Sequence, residues 1–132
     1  MSLILEIITP KARMVEVETT EVTLPGELGE LGVLAGHIPL LTSLKSGVLR
    51  YQSVKETKAF AIHFGFAEIF NNRVTVLAKE AEAGALIDGA HAQAEVQRLH
   101  EALNSCEKSS KEEAKLIQEL TKAETRLLAS KS

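Results

Sequence analysis

The chain has one cysteine, Cys106, so no internal disulfide can form and folding must rest on burial. It has no excess of basic charge. Fifteen lysines and arginines stand against eighteen acidic residues, and a net charge of −3 argues against a nucleic-acid partner. No apolar run approaches the roughly 18 residues needed to cross a bilayer. The amino terminus does not join a basic start to a long apolar segment, so no secretory signal is expected. The expectation is a soluble cytoplasmic chain that can still sit on a membrane complex.

Motifs for chemistry are missing as well. The stretch PGELGELGVLAGHIP, residues 25–39, holds glycines at 26, 29, 32 and 36. A phosphate loop needs Lys and then Ser or Thr after its last glycine, followed by a helix whose N-terminus faces the phosphate. Here Gly36 leads into His37, Ile38 and Pro39, and the proline disfavours a helical conformation at Ile38. These glycines are expected to supply positive φ in surface turns, which can also be contacts. The histidines at 37, 63, 91 and 100 have no second histidine or cysteine at ligand spacing, so no metal site is expected. His63 reads as structural, His100 as solvated, and the Glu27 and Glu30 pair as exposed charges. With no nucleophile elbow and no Ser or Cys beside a base, the residues describe a non-enzyme.

What is present falls into two halves that part near Gly84. All three prolines, seven of the eight glycines and all five Phe and Tyr residues lie up to that point. LILEI, MVEVE, VLRYQ, AFAIHF and VTVLA are short and β-branched or aromatic, and Pro or Gly clusters punctuate them, as in a β-sandwich or barrel. Phe60, Ile62 and Phe64 alternate with Ala59, Ala61 and His63, which puts the bulky set on one face. Asn71 and Asn72 fit a two-residue hairpin turn between FAEIF and RVTVLA.

The second half favours helix. Asp88 reads as an N-cap, and Ala92, Val96, Leu99 and Leu103 form one helical stripe. After the polar NSCEKSS, Ser110 and Glu113 form a capping box. Leu116, Leu120, Ala123 and Leu127 repeat the stripe, so the pair reads as an antiparallel hairpin. Isolated helices of this length are marginal in water, and the hairpin should need a surface to lean on. An element that depends on its docking site can also change docking site.

The run PGELGELGVLAGHIPLLTSLKSGVLR resembles the signature of the epsilon subunit of bacterial F-type ATP synthase. FAIHFGFAEIFNNRVTVLAKEAE continues the likeness, and Ile87, Asp88 and Ala92 match the start of the helical part, so it covers the whole chain. The resemblance implies an N-terminal antiparallel β-sandwich of about ten strands, residues 1–84, and a C-terminal two-helix hairpin, residues 85–132. It implies a non-catalytic rotor subunit that binds the gamma subunit and the c-subunit ring and transiently meets the alpha and beta subunits. Its place would be peripheral, at the cytoplasmic face of the bacterial plasma membrane. It also implies that residues 25–39 form a loop at the base of the sandwich, with Glu30 and His37 facing the c ring. Lys122, Arg126 and Lys131 become candidate inhibitory contacts with the beta subunit. The bland role of these three is to complement the helix dipole.

Some members of that family bind ATP on the folded hairpin through a motif with an arginine where this chain has His91. A fixed, five-donor cation is thereby replaced by a group mostly neutral at pH 7. The candidate set for ATP as a regulatory ligand is Ile87, Asp88, His91, Ala92, Arg98 and Arg126. A nucleotide-sensing module is therefore the alternative to a purely mechanical and inhibitory subunit.

Overall fold

Leu3, Leu5 and Ile7 are fully buried while Ile4 between them is exposed, the alternation of a strand with one face on a core. The same pattern recurs along the computed structural model, which describes residues 2–132. Eight strands come first: β1 (Leu3–Ile8), β2 (Arg13–Thr19), β3 (Glu21–Gly26), β4 (Gly29–Leu34), β5 (Leu40–Leu44), β6 (Gly47–Gln52), β7 (Thr57–Phe70) and β8 (Arg73–Ala83). A single 3-10 turn, Gly84–Leu86, leads to α1 (Gly89–Ser105) and α2 (Lys111–Lys131).

The two long strands organise the sandwich. The second half of β7 lies between β5 and β8, with β1 and β2 beyond, while its first half pairs with β6, which pairs with β3 and so reaches β4. Between these layers sit Leu3, Leu5 and Ile7 of β1, Leu24 of β3, Leu49 of β6, Ile62 and Ile69 of β7, and Val74 and Val76 of β8. The chain turns from one layer to the other at Phe64 and Gly65, whose φ angles are 61° and 153°. Glycine is required there, since a Cβ on Gly65 would stand 2.1 Å from the Leu77 carbonyl oxygen.

This geometry corrects four expectations. There are eight strands and not about ten, because β7 and β8, 14 and 11 residues long, run through both layers unbroken. AFAIHF and FAEIF are accordingly one strand. The sheet is mixed and not wholly antiparallel. β1 runs parallel to β8, since the whole sandwich separates the two in sequence and no hairpin joins them. Residues 25–39 are not one loop. Pro25 and Gly26 close β3 and Gly29–Leu34 is β4, an edge strand paired with β3 from Glu21↔Leu34 to Gly26↔Gly29. Phe64 is 47% exposed and off the core, because the kink rotates it out of the alternation that buries Phe60 and Ile62.

Local signals read from the sequence take the expected form. Asn71 and Asn72 have φ of 48° and 59° and close the β7–β8 hairpin, Phe70 pairing with Arg73. The Asp88 carboxylate accepts from the His91 backbone N–H at 3.1 Å. The Ser110 hydroxyl accepts from Glu113 N–H at 3.0 Å, and the Glu113 carboxylate accepts from Ser109 N–H at 3.0 Å. Leu99, Leu120 and Ala123 form the buried seam between the helices, joined by Val96, Leu103 and Leu116.

Candidate functional site

The hairpin leans on the outer face of β6 and β7. Strand alternation leaves Ala59, Ala61 and His63 on that face, and a small apolar cluster closes it: Val48, Ala59 and Ala61 against Ile87, Ala92 and Ala129. Four of these six are alanine, so little side-chain surface is buried at the contact. The fit is nevertheless close. A Cβ on Gly84 would lie 2.2 Å from the Ala129 carbonyl oxygen.

A charged border flanks the apolar contact. Lys122 Nζ donates to both carboxylate oxygens of Glu80, at 2.7 and 2.8 Å, and Arg126 Nε donates to Glu82 Oε1 at 2.9 Å. The match has a simple origin: residues two apart on a strand are about 6.6 Å apart, and residues four apart on a helix are about 6 Å apart. The hydrogen bond from Lys122 holds the Glu80 carboxyl below its usual range. Inside this border His63 is 2% exposed, with Nδ1 2.9 Å from the Ser46 hydroxyl. Burial pushes its imidazole down from 6.5 and the Lys122 charge adds to this, while Glu82 and Glu80 oppose.

The border opens into a cleft of about 470 Å³ lined by Glu80, Glu82, Glu95, Glu119, Arg98, Lys122 and Arg126, with Leu99 and Ala123 at its floor. Arg98 is bound to its own neighbour Glu95, Nη2 to Oε2 at 2.9 Å. Of the six residues expected to touch ATP, Arg98 and Arg126 line this cleft. Ile87 and Ala92 are buried in the apolar contact, Asp88 caps α1, and His91 is exposed. Four carboxylates face three cations there, and each cation is paired to a carboxylate. Among the described residues, no group of three His, Cys, Asp or Glu side chains is placed to hold a metal ion.

The expected c-ring contacts lie apart from the hairpin. Glu30 is exposed on edge strand β4, opposite Pro25. His37 lies beyond the end of that strand, its Nδ1 2.6 Å from the Ile38 carbonyl oxygen. The Gly36 N–H donates to the Asn72 side chain at 2.7 Å, which ties this turn to the β7–β8 turn. Lys131 is exposed at the end of α2. Around the tied turns Leu34, Ile38, Leu41 and Phe70 are 59%, 74%, 70% and 54% exposed. On the outward face of β7 and β8, Phe66 pairs with Leu77, and they are 57% and 52% exposed.

Sequence reasoning missed Ser46, Glu80, Glu82 and Thr125. Glu80 and Glu82 carried a usable signal, two like charges on one strand face matching two opposite charges one helical turn apart. Ser46 carried none. It meets His63 only because the β5–β6 link runs beside the kink of β7.

These features define a β-sandwich with an appended helical hairpin: a double layer of strands with apolar surface left open, and a helical pair held by a thin, alanine-rich contact. The chain belongs to the ATP synthase delta/epsilon chain family. The family model for the ATP synthase delta/epsilon chain beta-sandwich domain matches residues 2–84. The chain is 41% identical over 131 residues to the ATP synthase epsilon chain of Cyanothece sp., covering 98% of this chain and 95% of that one. It is 47% identical over 106 residues to the ATP synthase epsilon chain of Lawsonia intracellularis, covering 80% of each. Its fold resembles a chain in the Euglena gracilis mitochondrial ATP synthase structure of OSCP, F1 and c-ring. There the TM-score is 0.83 at 21% identity, covering 99% of this chain and 82% of that one. A chain of the Tetrahymena thermophila mitochondrial ATP synthase central stalk and c-ring matches with a TM-score of 0.59 at 12% identity, covering 99% and 96%.

Proposed function

We propose that this chain is a non-catalytic rotor subunit of the central stalk of an F-type ATP synthase, on the cytoplasmic face of the membrane. The sandwich joins the gamma subunit to the c ring so that ion-driven rotation reaches the catalytic head. The hairpin is a regulatory element that leaves the sandwich and restrains ATP hydrolysis. The observation that carries this reading is the mode of hairpin attachment, an alanine-rich contact bordered by Lys122–Glu80 and Arg126–Glu82. Lys122–Glu80 is about half exposed, and pairs of that kind contribute only about 0–1 kcal/mol, while Arg126–Glu82 is partly buried. Two docked states separated by a few kcal/mol are what a switch needs.

The same contact gives the switch its logic. While docked, Lys122 and Arg126 are spent on the sandwich's own carboxylates. Release frees both for an acidic segment of the beta subunit, with Lys131 beside them. The outward sheet face with Leu41, Phe66, Phe70 and Leu77 is apolar surface of the kind that marks a protein contact, and we assign it to gamma. The tied turns carrying His37 and Ile38, together with Glu30 on β4, are assigned to the c ring. No described helix is long and apolar enough to cross a membrane, so attachment there would be through partners.

The test is a reconstituted complex with and without residues beyond 85. Truncation should preserve stoichiometric assembly with gamma and raise ATP hydrolysis. Unchanged hydrolysis would remove the inhibitory role, and failure to co-assemble would remove the stalk role.

A further inference from the structure

Among the described side chains, His63 Nε2 is the buried polar atom without a hydrogen-bond partner. The other ring nitrogen begins a row that crosses from sandwich to hairpin. Nδ1 is 2.9 Å from Ser46 Oγ, Ser46 Oγ is 3.4 Å from Thr125 Oγ1, and Thr125 Oγ1 donates to the Thr121 carbonyl at 2.9 Å. A proton on Nδ1 satisfies the whole row, each group donating to the next. That tautomer leaves Nε2 as a bare lone pair 3.4 Å from Glu82 Oε1, the oxygen that accepts from Arg126.

With the imidazole neutral, each of the two carboxylates nearest the ring is already answered by a cation. From β8, Glu80 and Glu82 face the ring; from α2, Lys122 and Arg126 answer them one for one. Glu95 and Arg98 of α1, on the same cleft, are paired with each other, and Glu119 of α2 lies on that cleft too. We propose that His63 is a proton-operated latch, and that a proton taken up at Nε2 drives α2 off the sandwich.

The imidazolium brings a third cation to two carboxylates already answered by cations, and it is buried. Its new N–H points at Glu82 Oε1, whose charge offsets part of the burial cost. That oxygen is the one that anchors Arg126, so the two donors compete for it. Undocking relieves both by returning the ring to water. The titration agrees in sign: burial first and Lys122 second depress the docked imidazole and outweigh the opposing pull of Glu82 and Glu80, so the open form binds the proton more readily. Docking stability from this group is therefore complete above the ordinary value of 6.5 and is lost as pH falls below it. Each pH unit of depression corresponds to a factor of about ten in the open-to-docked ratio.

The inference deepens the proposed regulation, since it supplies a trigger for hairpin release, but its test needs no ATP synthase. On the isolated full chain, a donor on Cys106 at the hairpin bend and an acceptor on a Lys55→Cys variant report opening, while proton NMR follows the four imidazoles. Expected is an open fraction that rises on acidification from pH 8 to 5, with the His63 ring protonating below its ordinary value of 6.5 and in step with opening. His63→Gln, which keeps polarity without titrating, should flatten the curve. The latch is overturned if the distance stays constant, if His63→Gln opens with the same midpoint, or if His63 protonates at an ordinary pH in a docked hairpin. Should the variant fail to fold, the wild-type NMR titration decides alone. None of these outcomes depends on whether the released hairpin inhibits hydrolysis.

Discussion

Lys122 and Glu80 are joined by two hydrogen bonds across the gap between the hairpin and the sandwich, one to each carboxylate oxygen. The bond links residues 42 apart in sequence, and it exists only while the helices are down. In the proposed function the same lysine also meets another subunit, and docking and that contact would then exclude each other. Reversing the charge at one position, Lys122→Glu, should release the hairpin and increase the Cys106-to-sandwich distance in the labelled chain. Combining it with Glu80→Lys should restore docking. A double variant no better docked than either single one would mean that the pair does not hold the hairpin. Each single effect should be near 1 kcal/mol and should shrink in high salt, as for a half-exposed pair.

Gly84 offers a release that leaves charge alone. Any side chain there meets the Ala129 carbonyl, and the Ala59 carbonyl at 3.2 Å blocks escape toward the sandwich. Gly84→Val should therefore undock α2 while leaving β1 to β8 folded. Amide exchange should rise in both helices and stay slow at Leu5, Ile62 and Val74. In the assembled enzyme this variant separates two roles of the hairpin. If release permits inhibition, hydrolysis falls below wild type, and if docking itself restrains the enzyme, hydrolysis rises.

The helices were legible because their signals are local: a stripe, two caps and a polar interruption all lie within a few residues of one another. The Asn71–Asn72 turn was legible for the same reason. Strand number was not, because continuity of β7 through Phe64 and Gly65 depends on β5, β6 and β8 holding both halves. The parallel β1–β8 pair was invisible to any window, joining Ile4 to Arg73. The glycine-rich stretch misled for a physical reason. Glycines were read as turns, whereas Gly32 lies within edge strand β4 opposite Thr23, and only Gly29 and Gly36 of this stretch have positive φ. Within the candidate site, Lys122 and Arg126 were singled out as contacts with another subunit, and their pairing with Glu80 and Glu82 on β8 required the docking geometry.

ATP should bind the wild-type chain weakly, because Arg98 and Arg126 are held by Glu95 and Glu82. His91 lies one turn before Glu95 on α1, at the spacing where side chains meet. In His91→Arg the new guanidinium can take Glu95 and free Arg98 into the cleft. Calorimetry with ATP and magnesium should give no saturable heat for wild type up to millimolar nucleotide, and measurable binding for the variant. Tight binding by the wild type would revive the nucleotide-sensing reading and show that the cleft rearranges around the ligand.

The exposed sheet face allows the sharpest separation of folding from assembly. Phe66 and Leu77 are cross-strand neighbours, both more than half exposed on the face away from the core. Replacing Phe66 with Asp removes no core contact, and surface changes of this kind usually alter stability by less than about 0.5 kcal/mol. A strand position disfavours Asp, so Phe66→Thr serves as the β-compatible control. If gamma covers this face, a buried aromatic anchor is worth about 2 kcal/mol or more, a loss near thirtyfold in affinity. Expected, then, is an unchanged unfolding midpoint for Phe66→Thr, weakened pull-down with gamma for both variants, and a stronger defect for Asp. Full gamma binding by Phe66→Asp would move the stalk contact to another face, and leave this apolar patch without the partner assigned to it.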